Sequence, residues 1–216
     1  MKNPPHRNDG FSVGLGLLDY INPIFYTVTS LTLMNAMKEA MPPFSYRMFV
    51  IGAVISLTGG YIIPTGKLIV GLGLIRFVMP VPLVFFVNSG ILISGLFLAK
   101  TVFSIPDILF AAMALLICAG LVYILKKTGK FNTAAVLTGA AGYLLIYVTL
   151  IALSLGRGMI LPVILYITAI GLFVTLVITG IRADLYNPKV HWFIEICNVL
   201  CQGCVALGTL ILFHAI

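Results

Sequence analysis

Seven stretches of this chain are each long and apolar enough to cross a bilayer, and they follow one another with connectors too short to hold a second domain: 22–41, 46–64, 80–99, 106–125, 133–155, 159–181 and 190–215. A hydrocarbon core about 30 Å thick takes about 20 helical residues. Lipid offers no hydrogen-bond partner to a peptide group, so each stretch has to satisfy its own backbone as a helix. The chain therefore reads as an all-α polytopic transmembrane bundle of seven spans, with residues 1–10 as a polar tail and 11–216 as one helical domain. Composition agrees, since 61% of the residues are hydrophobic and 9% charged, against roughly 45–50% and about 25% in soluble domains.

The formal net charge of +7 would suit a nucleic-acid partner only if the cations shared a face, and here they sit in connectors, so nucleic acid is excluded as a partner. They read instead as topology signals. Lys2, Arg7, Lys67, Arg76, Lys126, Lys127, Lys130, Arg182 and Lys189 fall on the N-terminal side, and Lys38, Arg47, Lys100 and Arg157 on the other. The positive-inside rule then places the N-terminus in the cytosol and the C-terminus outside, in a cytoplasmic-type cell membrane crossed several times. Residues 1–10, MKNPPHRNDG, are polar, and the apolar run after them has no small-residue cleavage site, so no secretory leader is expected.

Two segments depart from the simple pattern. Residues 65–79 are too apolar for an ordinary loop and too short to span, and Met79, Pro80, Val81 and Pro82 interrupt the helix that would continue them. A re-entrant or interfacial half-helix fits this segment, as does a tilted helix with a proline kink or a connector held by Lys67 and Arg76. Residues 11–21 read as a short interfacial lead-in that ends at Asn22 and Pro23, with no chemical role. Ser104, Ile105, Pro106 and Asp107 read as a capping box before the fourth span, and Gly156 to Gly158 as the break between the fifth and sixth.

The best functional lead lies in the last span. His191, Glu195, Asn198 and Gln202 recur at steps of four, three and four, so they share one helix face. Such a stripe faces a bundle interior or a polar cavity, because burying each group in hydrocarbon without a partner costs about 2 kcal/mol or more. Of the six acids, Asp9, Asp19, Glu39, Asp107 and Asp184 fall in the tail, at span mouths, in the cap or in a connector, and Glu195 alone lies inside a span. On the sixth span Thr168, Thr175, Thr179 and Arg182 share a face, and the short connector makes the two spans antiparallel neighbours. The candidate ligand-binding set is therefore Glu195, His191, Asn198, Gln202, Arg182, Thr179 and Thr175, with Arg182 or His191 as the expected partner of Glu195. The same groups would also serve as interhelical adhesion.

Other polar marks are local: Asn22, Tyr26 and Thr29 share a face, as do Tyr143 and Tyr147, and Asn88 and Ser89 lie near the middle of the third span. Cys197, Cys201 and Cys204 have the spacing C-x3-C-x2-C but lie on a regular apolar stretch with Gly208, which suits a packing ridge better than an iron–sulfur loop. Gly52, Ser56 and Gly60 form a second small-residue ridge, and Gly90 with Ser94 a third. No phosphate loop, dinucleotide fingerprint, nucleophile elbow or zinc spacing occurs, so no cofactor, metal or catalytic residue is assigned. The run Leu161, Pro162, Val163 with Tyr166, and the region around Gln202, is similar to fragments of the lysoplasmalogenase-type membrane proteins. The acids on which that hydrolysis would rest have no counterpart, because the second span ends Leu57, Thr58, Gly59, Gly60 and the sixth offers Thr179, Gly180.

These readings converge on a protein that binds or translocates a small polar or amphiphilic molecule in an intrabundle cavity between the last two spans and the broken segment near Pro80. A non-transporting structural subunit of a membrane complex is the competing reading, and a lipid-acting membrane enzyme the third. Expected partners are membrane lipids, a small-molecule ligand, and a second copy of the chain or another membrane subunit.

Overall fold

The computed structural model describes residues 12–74, 81–129, 131–182 and 188–214, and every regular element among them is an α-helix. They are α1 (Val13–Asp19), α2 (Ile21–Met37), α3 (Pro43–Gly71), α4 (Val81–Val102), α5 (Asp107–Thr128), α6 (Phe131–Gly156), α7 (Ile160–Arg182) and α8 (Pro188–His214). Among the described residues six helices, α3 to α8, are long and apolar enough to cross a membrane. The first expected span is shorter: α2 has 17 residues, which at 1.5 Å per residue reach about 26 Å. It follows α1 through a single residue, Tyr20, whose backbone is itself helical.

The helices close a circuit. Neighbour packs on neighbour in the order α2, α3, α4, α6, α7, α8 and back to α2, so the first and last long helices form the seam. Helix α5 stands outside this circuit and packs on α6. None of its most apolar window is buried within the chain.

Small residues set the closeness of the walls. A Cβ on Gly52 would lie 2.6 Å from the Gly90 carbonyl oxygen, and one on Gly95 would lie 2.6 Å from that of Gly142. Only glycine lets α3 meet α4, and α4 meet α6, at that range. The ridge Gly52, Ser56 therefore meets the ridge Gly90, Ser94 across one interface. Its hydroxyls return to backbone carbonyls: Ser56 donates to Gly52 O (3.0 Å) and Val87 O (3.2 Å), and Ser94 to Phe49 O (3.1 Å). On α8, Cys201 is fully buried and its thiol donates to Ala169 O of α7 at 3.3 Å, while Gly208 lies against the Tyr166 ring.

Two local expectations change. Residues 65–71 do not form a separate half-helix; they continue α3 beyond Pro64, which sits inside the helix. With 29 residues, α3 is about 43 Å long, more than the hydrocarbon core requires. Residues 75–80, with Arg76, Met79 and Pro80, lie outside the described residues. The expected capping box is not formed: Pro106 holds the cap position of α5 without a side-chain bond, and Asp107 instead pairs with Lys100 at 2.5 Å. The reason lies one step earlier, where α4 ends in a tight turn with Ser104 left-handed (φ 50°) and Ile105 N–H donating to Lys100 O, which brings the two side chains together. The break between α6 and α7 is as expected, with Gly158 left-handed at φ 69°.

Candidate functional site

Four side chains from four helices meet at one end of the circuit. Asp19 is the last residue of α1, Asn22 lies in the first turn of α2, Lys67 in the last turns of α3, and Glu195 two turns into α8. Each is between 4% and 8% exposed. The Lys67 ammonium lies 2.5 Å from Glu195 Oε1 and 2.7 Å from Asp19 Oδ2. The Asn22 amide N–H2 donates to the other oxygen of each carboxylate, Asp19 Oδ1 at 3.1 Å and Glu195 Oε2 at 3.2 Å. Carboxylate, ammonium, carboxylate and amide thus form a cycle in which three carboxylate oxygens accept hydrogen bonds and the fourth, Asp19 Oδ2, has the ammonium beside it as an ion pair without hydrogen-bond geometry. Such pairing is what makes buried charge tolerable, since a lone ion in a low-dielectric interior costs several kcal/mol.

Local sequence explains the convergence. Asp19 and Asn22 are three residues apart across the helical Tyr20, so they project to the same side. Helix α1 reaches α3 because Gly16 and Gly71 carry no side chain: a Cβ on Gly16 would sit 3.0 Å from Leu68 Cα, and one on Gly71 2.8 Å from the Ser12 carbonyl carbon. Tyr20 Oη and Thr65 Oγ1 hydrogen-bond at 2.6 Å, and Thr27 Oγ1 and Tyr61 Oη at 3.0 Å, fastening α2 along the second half of α3. On the far side Gly203 of α8 accepts the Phe25 ring of α2. Two prolines flank the cluster, Pro23 in α2 and Pro64 in α3. Lacking an N–H, they deny a helical hydrogen bond to the carbonyls four residues earlier, those of Asp19 and Gly60.

The cycle forms one wall of a cavity of about 240 Å³ inside the circuit of helices. Tyr26, Ser56, Gly60, Tyr143, Asn198 and Gln202 continue the lining. Two carboxylates and one ammonium give this wall a formal charge of −1. Asn22 contributes a further feature: its Oδ1 is buried with no hydrogen-bond partner among the described residues. Both features ask for a hydrogen-bond donor.

The structure brings together part of the predicted set. Glu195, Asn198 and Gln202 line the cavity. His191, one turn before Glu195, is half-buried and does not line it. Thr175 is exposed and donates to Gly171 O at 3.0 Å, and Thr168 is exposed and donates to Ile164 O at 2.9 Å. Thr179 is half-buried and outside the lining. The threonine face of α7 therefore turns away from Glu195, because α8 presents its polar stripe to α2 and α3 rather than to its hairpin neighbour. Arg182 ends α7, and its side chain lies outside the described residues.

Among the described residues the partners of Glu195 are Lys67 and Asn22, which also hold Asp19, and this arrangement corrects two expectations. Lys67 is not an interfacial anchor, and residues 11–21 are not a chemically idle lead-in. A signal for both existed. TGKLIVG is apolar around its one cation, and LGLLDYIN places an acid and an amide three apart within an apolar run. No family model, curated protein or solved structure matches this chain.

Proposed function

We propose that this is a seven-span protein of a cytoplasmic membrane, N-terminus in the cytosol, that binds a small polar or amphiphilic molecule in the cavity bounded by Asp19, Asn22, Lys67 and Glu195. The observation that carries the reading is a buried polar wall of formal charge −1, with an orphaned acceptor on Asn22, beside a cavity rather than inside a packed interface. A cationic or donor-rich group answers both the charge and the acceptor. The seventh span is α2 extended by α1, and the charged cluster then lies at the cytosolic end, where α2 and α8 begin and α3 ends. Translocation would be a further property of this same site.

The test uses a primary ammonium small enough for the cavity. Propylammonium should bind saturably to the protein in lipid nanodiscs, measured by equilibrium dialysis against protein-free discs. Glu195→Gln should weaken that binding by about tenfold or more, as expected for loss of a charge-assisted contact, without a comparable loss of thermal stability. Absence of saturable binding by the wild type overturns the reading. For topology, single cysteines at positions 100, 127 and 214, placed in a variant lacking Cys118, Cys197, Cys201 and Cys204, should label with 127 on the cytosolic side and the other two outside. Finding 127 and 214 on one face would refute seven spans.

A second reading, a structural subunit of a membrane complex, draws on α5, whose apolar surface lies outside the circuit and uncovered by the chain. It predicts a partner helix on α5 and no role for the cavity.

A further inference from the structure

At about 240 Å³ the polar cavity falls below the roughly 300–1,000 Å³ that encloses a drug-sized ligand. It holds a headgroup, but not a headgroup with a chain attached. A second cavity of about 180 Å³ lies between α4, α6 and α7, and Tyr143 lines both. Its chemistry is the opposite of the first. Asn88 turns its amide N–H to the Ala135 carbonyl at 2.8 Å, and Val136, Ala140, Phe173, Leu176 and Val177 supply an apolar lining. Apart from buried Gly139, every residue of this lining is half-buried. The crevice therefore opens outward through the wall of helices, beside the exposed Val174 and Ile178 of α7. The residue common to both linings is Tyr143, its ring centroid 6.4 Å from that of Tyr26 and 5.3 Å from that of Phe173.

We infer that the ligand is a single-chain amphiphile with a cationic, hydrogen-bond-donating head, held with the head against Asp19, Asn22 and Glu195 and the tail running past Tyr143 into the crevice between α6 and α7 and on to the bilayer. The inference rests on the reading of the polar cavity as a ligand site and adds the class of ligand and its route. A crevice of apolar side chains open to the outside of a membrane bundle continues into lipid without a polar boundary, so a chain lying in it leaves no apolar surface to water. The head, by contrast, gains partners that lipid cannot supply.

The experiment compares propyl-, hexyl- and decylammonium on the nanodisc-held protein, with protein-free discs subtracted. Wild type should bind decylammonium at least as tightly as propylammonium. Ala140→Trp on α6 and Val177→Trp on α7 fill the crevice from opposite walls. Each should weaken decylammonium by about tenfold or more through overpacking while leaving propylammonium within about twofold, and retained propylammonium binding also certifies the fold. A decylammonium carrying a photoreactive diazirine at its tail end should crosslink wild type on Phe173, Leu176 or Val177, a readout that needs no variant. The inference fails if wild type binds propylammonium and rejects decylammonium, if both filled variants bind decylammonium as wild type does, or if the tail crosslinks to α2 or α8. Failure of the whole series to bind removes the underlying reading as well.

Discussion

Helix α3 joins the bundle in two ways along its length. Its first half meets α4 through Gly52 and Ser56, where hydroxyls return to backbone carbonyls and no charge is involved. Its second half, beyond Pro64, presents Lys67 to two carboxylates. Both halves bury polar groups and both reach the cavity, the first through Ser56, but only the second buries ions. Small residues and serines show that this chain can bind helix to helix cheaply, with hydroxyls that satisfy themselves on the preceding turn. A buried ion cycle is a poor adhesive by comparison, since replacing such groups by apolar ones is often neutral or stabilising. The contrast teaches that adhesion does not require Lys67, and that its place beside the cavity is the better explanation of its presence.

The sharpest break of this contrast is Lys67→Met. Two carboxylates would then face each other with the Asn22 amide alone between them, and stability should fall by about 3–5 kcal/mol. Adding Asp19→Asn and Glu195→Gln should recover most of that loss, as thermal melts in one detergent would show. A triple variant as unstable as the single one would mean that the ions hold the helices together after all. Propylammonium binding should be lost in the stable triple variant, whose wall no longer carries charge.

A smaller loss is expected at the neutral half. Gly52→Val drives a side chain toward the Gly90 carbonyl and Ser94, backbone that cannot step aside, and should cost about 1–3 kcal/mol while sparing the charged cycle. Asn22→Ala removes the amide that spans the two carboxylates and should cost a similar or lesser amount, about 1–3 kcal/mol. It should also weaken amine binding, which Gly52→Val should not do once the protein is folded. The smallest effect belongs to Ser94→Ala, about 0.6 kcal/mol, the average for an interhelical hydrogen bond in a membrane. A cost there equal to that of Lys67→Met would erase the distinction between the two halves.

Much of the architecture was legible because lipid leaves a backbone few choices. Apolar length marked the helices, and the polar period of α8 marked Glu195, Asn198 and Gln202 as inward-facing. Three things were not legible. The extent of α3 was hidden by Pro64, which reads locally as a stop, although the helix absorbs it and carries Lys67 into the interior. The neighbour of α8 was hidden by chain order. A short connector makes α7 adjacent to α8, as the Tyr166 and Thr209 hydroxyls at 3.2 Å confirm. Adjacency in sequence, however, does not decide which face a helix turns to which neighbour, and the expectation that the threonine face of α7 meets the polar stripe of α8, with Arg182 or His191 beside Glu195, rests on that assumption. Asp19 was missed because a short helix at the head of the chain looks like an approach to a span, and only the closure of α1 on α3 through Gly16 brings its carboxylate under cover.

The seam of the helical circuit lies between its first and last long members, and the cycle of charges is tied across that seam: Asp19, Asn22 and Lys67 come from the opening third of the chain and Glu195 from its final helix. During synthesis the early members wait through the whole of α4 to α7 before their last partner emerges. Asp19 and Lys67 can meet as a simple pair in that interval, while the Asn22 amide has one carboxylate in place of two. Completion of the site therefore waits for α8, and a product stopped before that helix would leave an acid, a base and an amide at an open edge of the bundle.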